Sequence, residues 1–257
     1  MNNNGLRVYK ENTPQFKFYK EQHNKQCLNF LNNKIEKYSK LDNLEMYIWE
    51  ALDLLDKFID PSDPDLDLPN SIHAYQTAER IRKKYPNDYE FQITGLIHDL
   101  GKVLFKLGEP SWAVVGDTYV LGCELPKTIV YYDTFPKSLK DLKGDGIYNE
   151  NCGIENLKIS FGHDEYLYMV LNSPLNKHKL SKKYLNMIRF HSFYPWHTNN
   201  EYKQFMKDKD YNILKNVRDL NKYDLYSKED IEFKLTDEIK NYYKNLLKKY
   251  FPYKLKW

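Results

Sequence analysis

The chain has 257 residues, enough to bury a substantial core, and its 39 basic and 36 acidic residues leave a net charge of +3. That near balance excludes the basic footprint of a nucleic-acid-binding surface, and 23 Tyr, 13 Phe and 4 Trp exclude a disordered chain despite abundant Asn and Lys. The three cysteines, Cys27, Cys123 and Cys152, form no CxxC pair, which argues against a disulfide framework and a zinc–thiolate site. The polar N-terminus carries no apolar signal region, and no apolar run approaches about 18 residues. A cytoplasmic location and no membrane partner are therefore expected.

In chain order, residues 1–15 read as an irregular arm. Phe16, Tyr19, Cys27, Leu28, Phe30, Leu31 and Ile35 predict one helix over about 15–40 with a single apolar side. A second helix is predicted over 44–59. The run Asp60-Pro61-Ser62-Asp63-Pro64-Asp65 then breaks regularity. Asn70 or Ser71 is read as the cap of a third helix reaching about 84. A turn at 85–88 leads to a fourth helix over 89–105. Residues 106–160 are richer in Gly and Pro and read as a long loop with short elements at most. Helical patterns resume at 164–171, 181–190, 200–207, 211–223 and 236–250. No alternating strand pattern recurs, so one all-α domain over 1–257 is expected.

The most informative run is Gly95-Leu96-Ile97-His98-Asp99-Leu100-Gly101-Lys102. A histidine beside an aspartate in an apolar stretch places two metal-ligand side chains where burial is expected, and an unpaired buried carboxylate is costly. Lys102 lies one turn after His98, so its ammonium can project to the same place. His73 opens the preceding helix, which should pack against this one. Taken alone, a histidine there is more often capped or solvated. His163, in Phe161-Gly162-His163-Asp164-Glu165, reads equally as a turn residue. His191 lies in an unusually aromatic run and needs a partner, yet core packing is as good a reading. Asp224, at a helix end, is usually a surface residue or a cap. His23, His178 and His197 have largely polar or exposed settings and receive no role. Four His and two Asp without a thiolate would suit iron or manganese; if Asp99 bridges, six side chains serve two ions and leave open positions.

These residues resemble a known family. The order His73, His98-Asp99 and a distant Asp224 is that of the HD-domain superfamily of helical metal enzymes. Several further runs resemble inositol oxygenase: Asn70-Ser71-Ile72-His73-Ala74-Tyr75-Gln76-Thr77-Ala78-Glu79, Ser111-Trp112-Ala113-Val114-Val115-Gly116-Asp117-Thr118 and His191-Ser192-Phe193-Tyr194-Pro195-Trp196-His197. The resemblance spans nearly the whole chain, most densely 50–226. It implies an HD-type helical fold. It also implies a mixed-valent Fe(II)/Fe(III) pair and a four-electron oxidation that breaks the C1–C6 bond of myo-inositol with dioxygen as co-substrate, giving D-glucuronate.

Carried over, the iron ligands are His73, His98, Asp99, His163, His191 and Asp224, with Asp99 the bridge. One iron takes His73, His98 and Asp224, the other His163 and His191. Substrate contacts come from Arg7, Asp60, Ser62, Lys102, Gly116, Asp117, His191 and Ser192, and Lys102 is the catalytic side chain that holds or deprotonates a hydroxyl. Pro61 stands where the family has an acidic residue, and 173–183 is slightly longer than usual, as a surface loop would be. The expected partner is the small molecule alone, with the protein a monomer. The alternative is an HD-type phosphohydrolase, which would require a cluster of Arg and Lys at the site; Lys102 and Arg189 are its chief candidates.

Overall fold

A computed structural model describes residues 13–58, 60, 69–224 and 233–257. Thr13 Oγ1 accepts from the Phe16 amide and Pro14 occupies the first turn, which together start α1 (Pro14–Lys25). The chain then breaks and resumes as α2 (Leu28–Tyr38), so the single helix expected over 15–40 is two. The break has a tertiary cause. The Gln26 side chain donates to the Phe161 carbonyl at 2.7 Å and accepts from the Phe161 amide at 3.0 Å, which holds the backbone out of helical register.

A two-residue strand, β1 (Glu45–Met46), precedes α3 (Ile48–Leu54) and a short 3-10 turn to Lys57. The helix expected over 44–59 is therefore shorter. α4 (Asn70–Lys84) follows as expected, but Pro69 holds the cap position and Asn70 is the first helical residue. Asp88 caps α5 (Tyr89–Ile97) through the Phe91 amide. The predicted helix to 105 changes character at His98-Asp99, and Leu100–Leu107 is wound as 3-10.

Residues 106–160 hold short 3-10 turns, α6 (Lys137–Lys140) and one isolated antiparallel bridge between Val120 and Ile159, as expected of a long loop. α7 (His163–Asn172), α8 (Lys182–Phe190) and α9 (Tyr194–His197) follow. The pattern at 200–207 gives only a 3-10 turn at Lys203–Phe205. α10 (Asp210–Asp224) and α11 (Asp237–Tyr250) complete the helices, and β2 (Leu255–Lys256) pairs antiparallel with β1, Met46 opposite Leu255. The fold is all-α, with that two-stranded pair its only sheet among the described residues. None of the described helices is long and apolar enough to cross a membrane.

The main core joins α1, α2, α3, α4, α5, α7 and α11 through residues such as Phe18, Tyr38, Ile48, Ala74, Leu96, Tyr166 and Tyr243. A second cluster around Phe190, Phe193, Trp196 and Phe205 carries the run after α8. α4 packs on α5, α7 on α8 and on the 3-10 segment, and α10 on both α8 and α4. These contacts bring five distant parts of the chain to one place. The loop 173–181 is anchored rather than loose: Asn176 bonds the Val170 and Lys256 carbonyls and accepts from the Lys256 amide.

Candidate metal centre

His98 and Asp99 sit at the junction between α5 and the 3-10 segment, both buried. In a 3-10 turn side chains three apart eclipse, which places Lys102 over Asp99, Nζ to Oδ2 at 2.9 Å. Gly101 lies between them because nothing larger fits. A Cβ there would stand 1.8 Å from the His163 carbonyl oxygen. This close approach sets the first turn of α7 against the motif.

Asp99 is the centre of the arrangement. Its Oδ1 lies 3.1 Å from His163 Nε2 and 3.6 Å from His191 Nε2; its Oδ2 lies 3.7 Å from His98 Nε2. Asp224 Oδ1 lies 2.9 Å from His73 Nε2 and 3.0 Å from His98 Nε2. Arg80, on α4, donates to the Tyr223 carbonyl and fixes the end of α10 (Asp210–Asp224), which presents Asp224. Two ligand groups result, His73–His98–Asp99 and Asp99–His163–His191, and Asp99 belongs to both. The six expected ligands are thus brought together, with Asp99 in the shared position.

The donor set fits metal ions. His98 Nδ1 faces the Gly95 carbonyl at 2.9 Å, His163 Nδ1 the Val114 carbonyl at 2.8 Å and His191 Nδ1 the Ile188 carbonyl at 2.7 Å. A carbonyl only accepts, so each Nδ1 carries the proton and each Nε2 turns a lone pair inward. His163 Nε2 and His191 Nε2 are 3.0 Å apart, and two lone pairs at that distance repel unless a cation draws both. His98 has an acceptor at each ring nitrogen, which likewise demands a positive charge. Nitrogen and oxygen donors alone are what iron or manganese takes.

Charge is distributed accordingly. Burial works against ionisation of Asp99, but Lys102 and His98, with the contacts from His163 and His191, hold it well below the usual carboxylate range. Burial opposes Asp224 in the same way, and His98 and His73 hold it low. Burial would lower Lys102, yet Asp99 and Asp60 outweigh it and raise the ammonium above its ordinary value. Its ammonium, held between Asp99 and Asp60, stands where it can hold a substrate hydroxyl.

Of the expected substrate contacts, Asp60 reaches the motif, its Oδ2 3.0 Å from Lys102 Nζ. Gly116 has φ +97, and a Cβ there would meet Gln22 Nε2 at 2.8 Å, so the close approach it permits is to α1. Asp117 Oδ1 accepts from the Tyr19 hydroxyl at 3.2 Å. The Thr118 amide donates to the Ser192 carbonyl at 2.9 Å, which joins the Gly116-Asp117 loop to the His191 segment. Arg7, Ser62 and Pro61 lie outside the described residues.

Two histidines differ from the sequence reading. His23 and His197 are buried, not in polar or exposed settings. His23 stacks on Phe135 with ring centroids 3.7 Å apart, and His197 Nε2 donates to the His191 carbonyl at 2.8 Å, bracing that ligand's backbone. His178 is half-buried and donates to the Leu171 carbonyl. Asn70 is the site residue read only as a cap: its Oδ1 accepts from Lys102 Nζ at 3.2 Å. Arg189 grips Glu165 through two bonds, at 2.7 and 3.1 Å, and also bonds the Glu155 carbonyl, so it is not available to a phosphate.

The model of the myo-inositol oxygenase family matches residues 13–257. The inositol oxygenase of Danio rerio is 43% identical over 248 residues, 94% of this chain and 88% of that protein. The Homo sapiens inositol oxygenase is also 43% identical over 248 residues, 94% of this chain and 86% of its own length. Inositol oxygenase 1 of Arabidopsis thaliana is 46% identical over 249 residues, covering 93% and 79%.

Proposed function

Because the chain belongs to the myo-inositol oxygenase family, we propose that it opens the ring of myo-inositol between C1 and C6 with one dioxygen, giving D-glucuronate and water, at a pair of iron ions. The atoms balance: inositol and dioxygen together contain what glucuronic acid and water contain. One iron would be held by His73, His98 and Asp224, the other by His163 and His191, with Asp99 shared. The irons, when bound, would supply the redox chemistry and the activation of dioxygen.

The observation that carries this reading is Asp99, whose two oxygens face histidines of both ligand groups while Lys102 neutralises it from a third side. A polyol offers only hydroxyls, so its site must be built from hydrogen-bonding groups. Lys102, Asp60 and Asn70 converge beside the ligands and supply donors and acceptors together. A protonated Lys102 would hold a substrate oxygen and favour negative charge developing on it. Asp117, Gly116, His191 and Ser192 are assigned to the same substrate, with Arg7 and Ser62. A phosphoester would need a cluster of free cations, and the engagement of Arg189 by Glu165 removes one of its two candidates.

Oxygen uptake by the iron-loaded protein, measured with and without myo-inositol and alongside a glucuronate assay, tests the proposal. One glucuronate per dioxygen is the expected result. No inositol-dependent uptake by protein with both irons bound in the mixed-valent state would overturn it.

A further inference from the structure

Lys102 has three N–H donors, and the structure gives each an acceptor: Asp99 Oδ2 at 2.9 Å, Asp60 Oδ2 at 3.0 Å and Asn70 Oδ1 at 3.2 Å. A substrate hydroxyl that is to be held by this ammonium must take over one of those places. The three partners are not equivalent. Asp99 belongs to both ligand groups and stays. Asn70 is fixed from its other end, where Nδ2 donates to the Phe58 carbonyl at 2.7 Å and the Leu55 carbonyl at 3.4 Å. Two carbonyls accept only, so the amide orientation is determined and Oδ1 must face Lys102. Asp60 is left as the partner that a hydroxyl can replace.

Asn70 also stands where three parts of the site meet. It is the first residue of α4, three before the ligand His73; its amide grips the carbonyl two residues before Asp60; its oxygen holds Lys102. The geometry points to Asn70 as a positioning residue for the oxygenase reaction: it keeps Lys102 aimed at the substrate oxygen while Asp60 exchanges the ammonium for hydroxyls. This rests on the proposed function for what the substrate is, but not for what Asn70 does to Lys102. Asn70 touches neither ligand group, so its loss acts through Lys102 and not through metal affinity.

The test uses the full-length iron-loaded protein with Asn70→Ala and Asn70→Asp. The second keeps an acceptor for Lys102 but sets a carboxylate against the Phe58 carbonyl. Both are expected to keep two irons per chain and to lose roughly tenfold in kcat, the order of a hydrogen bond to a charged group. In a Lys102→Ala background, Asn70→Ala should cost little further. Independently of any substrate, acylation of Lys102 by an amine reagent, followed by mass spectrometry of its peptide against surface lysines, should be severalfold faster in Asn70→Ala. Unchanged Lys102 labelling in both variants, an unaltered kcat, or iron lost in step with activity would overturn the inference. If wild-type protein fails to oxidise inositol, the proposed function fails and the labelling alone decides the role of Asn70.

Discussion

Replacing Gly101 by alanine tests whether the metal centre depends on a backbone contact remote from any ligand atom. The added Cβ would lie 1.8 Å from the His163 carbonyl oxygen, 2.6 Å from its carbonyl carbon and 2.9 Å from its Cα. All three are backbone atoms, so no rotamer change relieves the overlap. Cβ atoms keep at least 3.0 Å from such neighbours, so the 3-10 segment and α7 must part by more than 1 Å. His163 Nε2 is 3.1 Å from Asp99 Oδ1 and 3.0 Å from His191 Nε2, whereas metal–nitrogen bonds of about 2.1 Å tolerate errors of only about 0.2 Å. The His163–His191 group should fail, and the His73–His98–Asp224 group, carried by α4, α5 and α10, should survive. Iron content is expected to fall from two to about one per chain. Overpacking of this kind costs about 2 kcal/mol, which lowers the melting temperature by roughly 6 °C in a chain of this size. Iron analysis and thermal unfolding of the purified variant supply both readings. Two irons per chain with a melting temperature within about a degree of wild type would refute the argument.

Asp99→Ala should remove both metals at once, since its oxygens serve both groups; iron analysis that still finds two per chain would exclude the shared role, and one would restrict Asp99 to a single site. His23 gives the chain an acid sensitivity that has nothing to do with metal. Its Nδ1 donates to Thr134 Oγ1, which itself donates to the Tyr131 carbonyl, and its buried Nε2 has no hydrogen-bond partner among the described residues; burial pushes the pKa down to about 3. A histidine takes up its proton near pH 6.5 once unfolded, so the depressed folded value gives stability that is complete above pH 6.5 and lost as pH falls toward 3, by up to about 1.4 kcal/mol per unit. His23→Phe keeps the stack on Phe135 and leaves Thr134 bonded, so urea unfolding at pH 7 and pH 5 should show a smaller acid loss than in wild type. Equal losses in the two proteins would dismiss His23 as the source.

His98-Asp99 was legible because a charged pair inside an apolar run has no cheap explanation, and Lys102 followed from helical spacing. The structure reaches the same proximity by another route, since the segment is 3-10 and the pair that meets is Asp99–Lys102. The helix break at Gln26 was not legible because its cause lies 135 residues away at Phe161. The β1–β2 pair was too short to show a period. His23 and His197 misled for a shared reason. Sequence neighbours of a helical residue point away from it, so Asn24 beside His23, or Thr198 and Asn199 after His197, say nothing of the face that is buried. Asn70 was read as a cap because Asn often caps, and its grip on Phe58 and Lys102 depends on tertiary placement.

The ligands also share a position that explains why so many separate elements are needed. His98 and His191 are the C-cap residues of α5 and α8, and His163 opens α7, with His73 in the first turn of α4. Helix ends are where backbone groups lack intrahelical partners. His98 donates Nδ1 to the carbonyl three residues back, Gly95, and His191 does the same to Ile188. Each therefore satisfies a terminal carbonyl of its own helix, and the same bond fixes the tautomer that turns Nε2 inward. His163 opens a helix and has no such carbonyl behind it. Its amide and its Nδ1 instead converge on the Val114 carbonyl, each at 2.8 Å, which is why the Trp-Ala-Val-Val-Gly-Asp-Thr run belongs to the site without supplying a ligand. A helix interior has no free carbonyl to orient an imidazole in this way, so a centre of this kind collects helix termini, and the fold must bring several of them to one point.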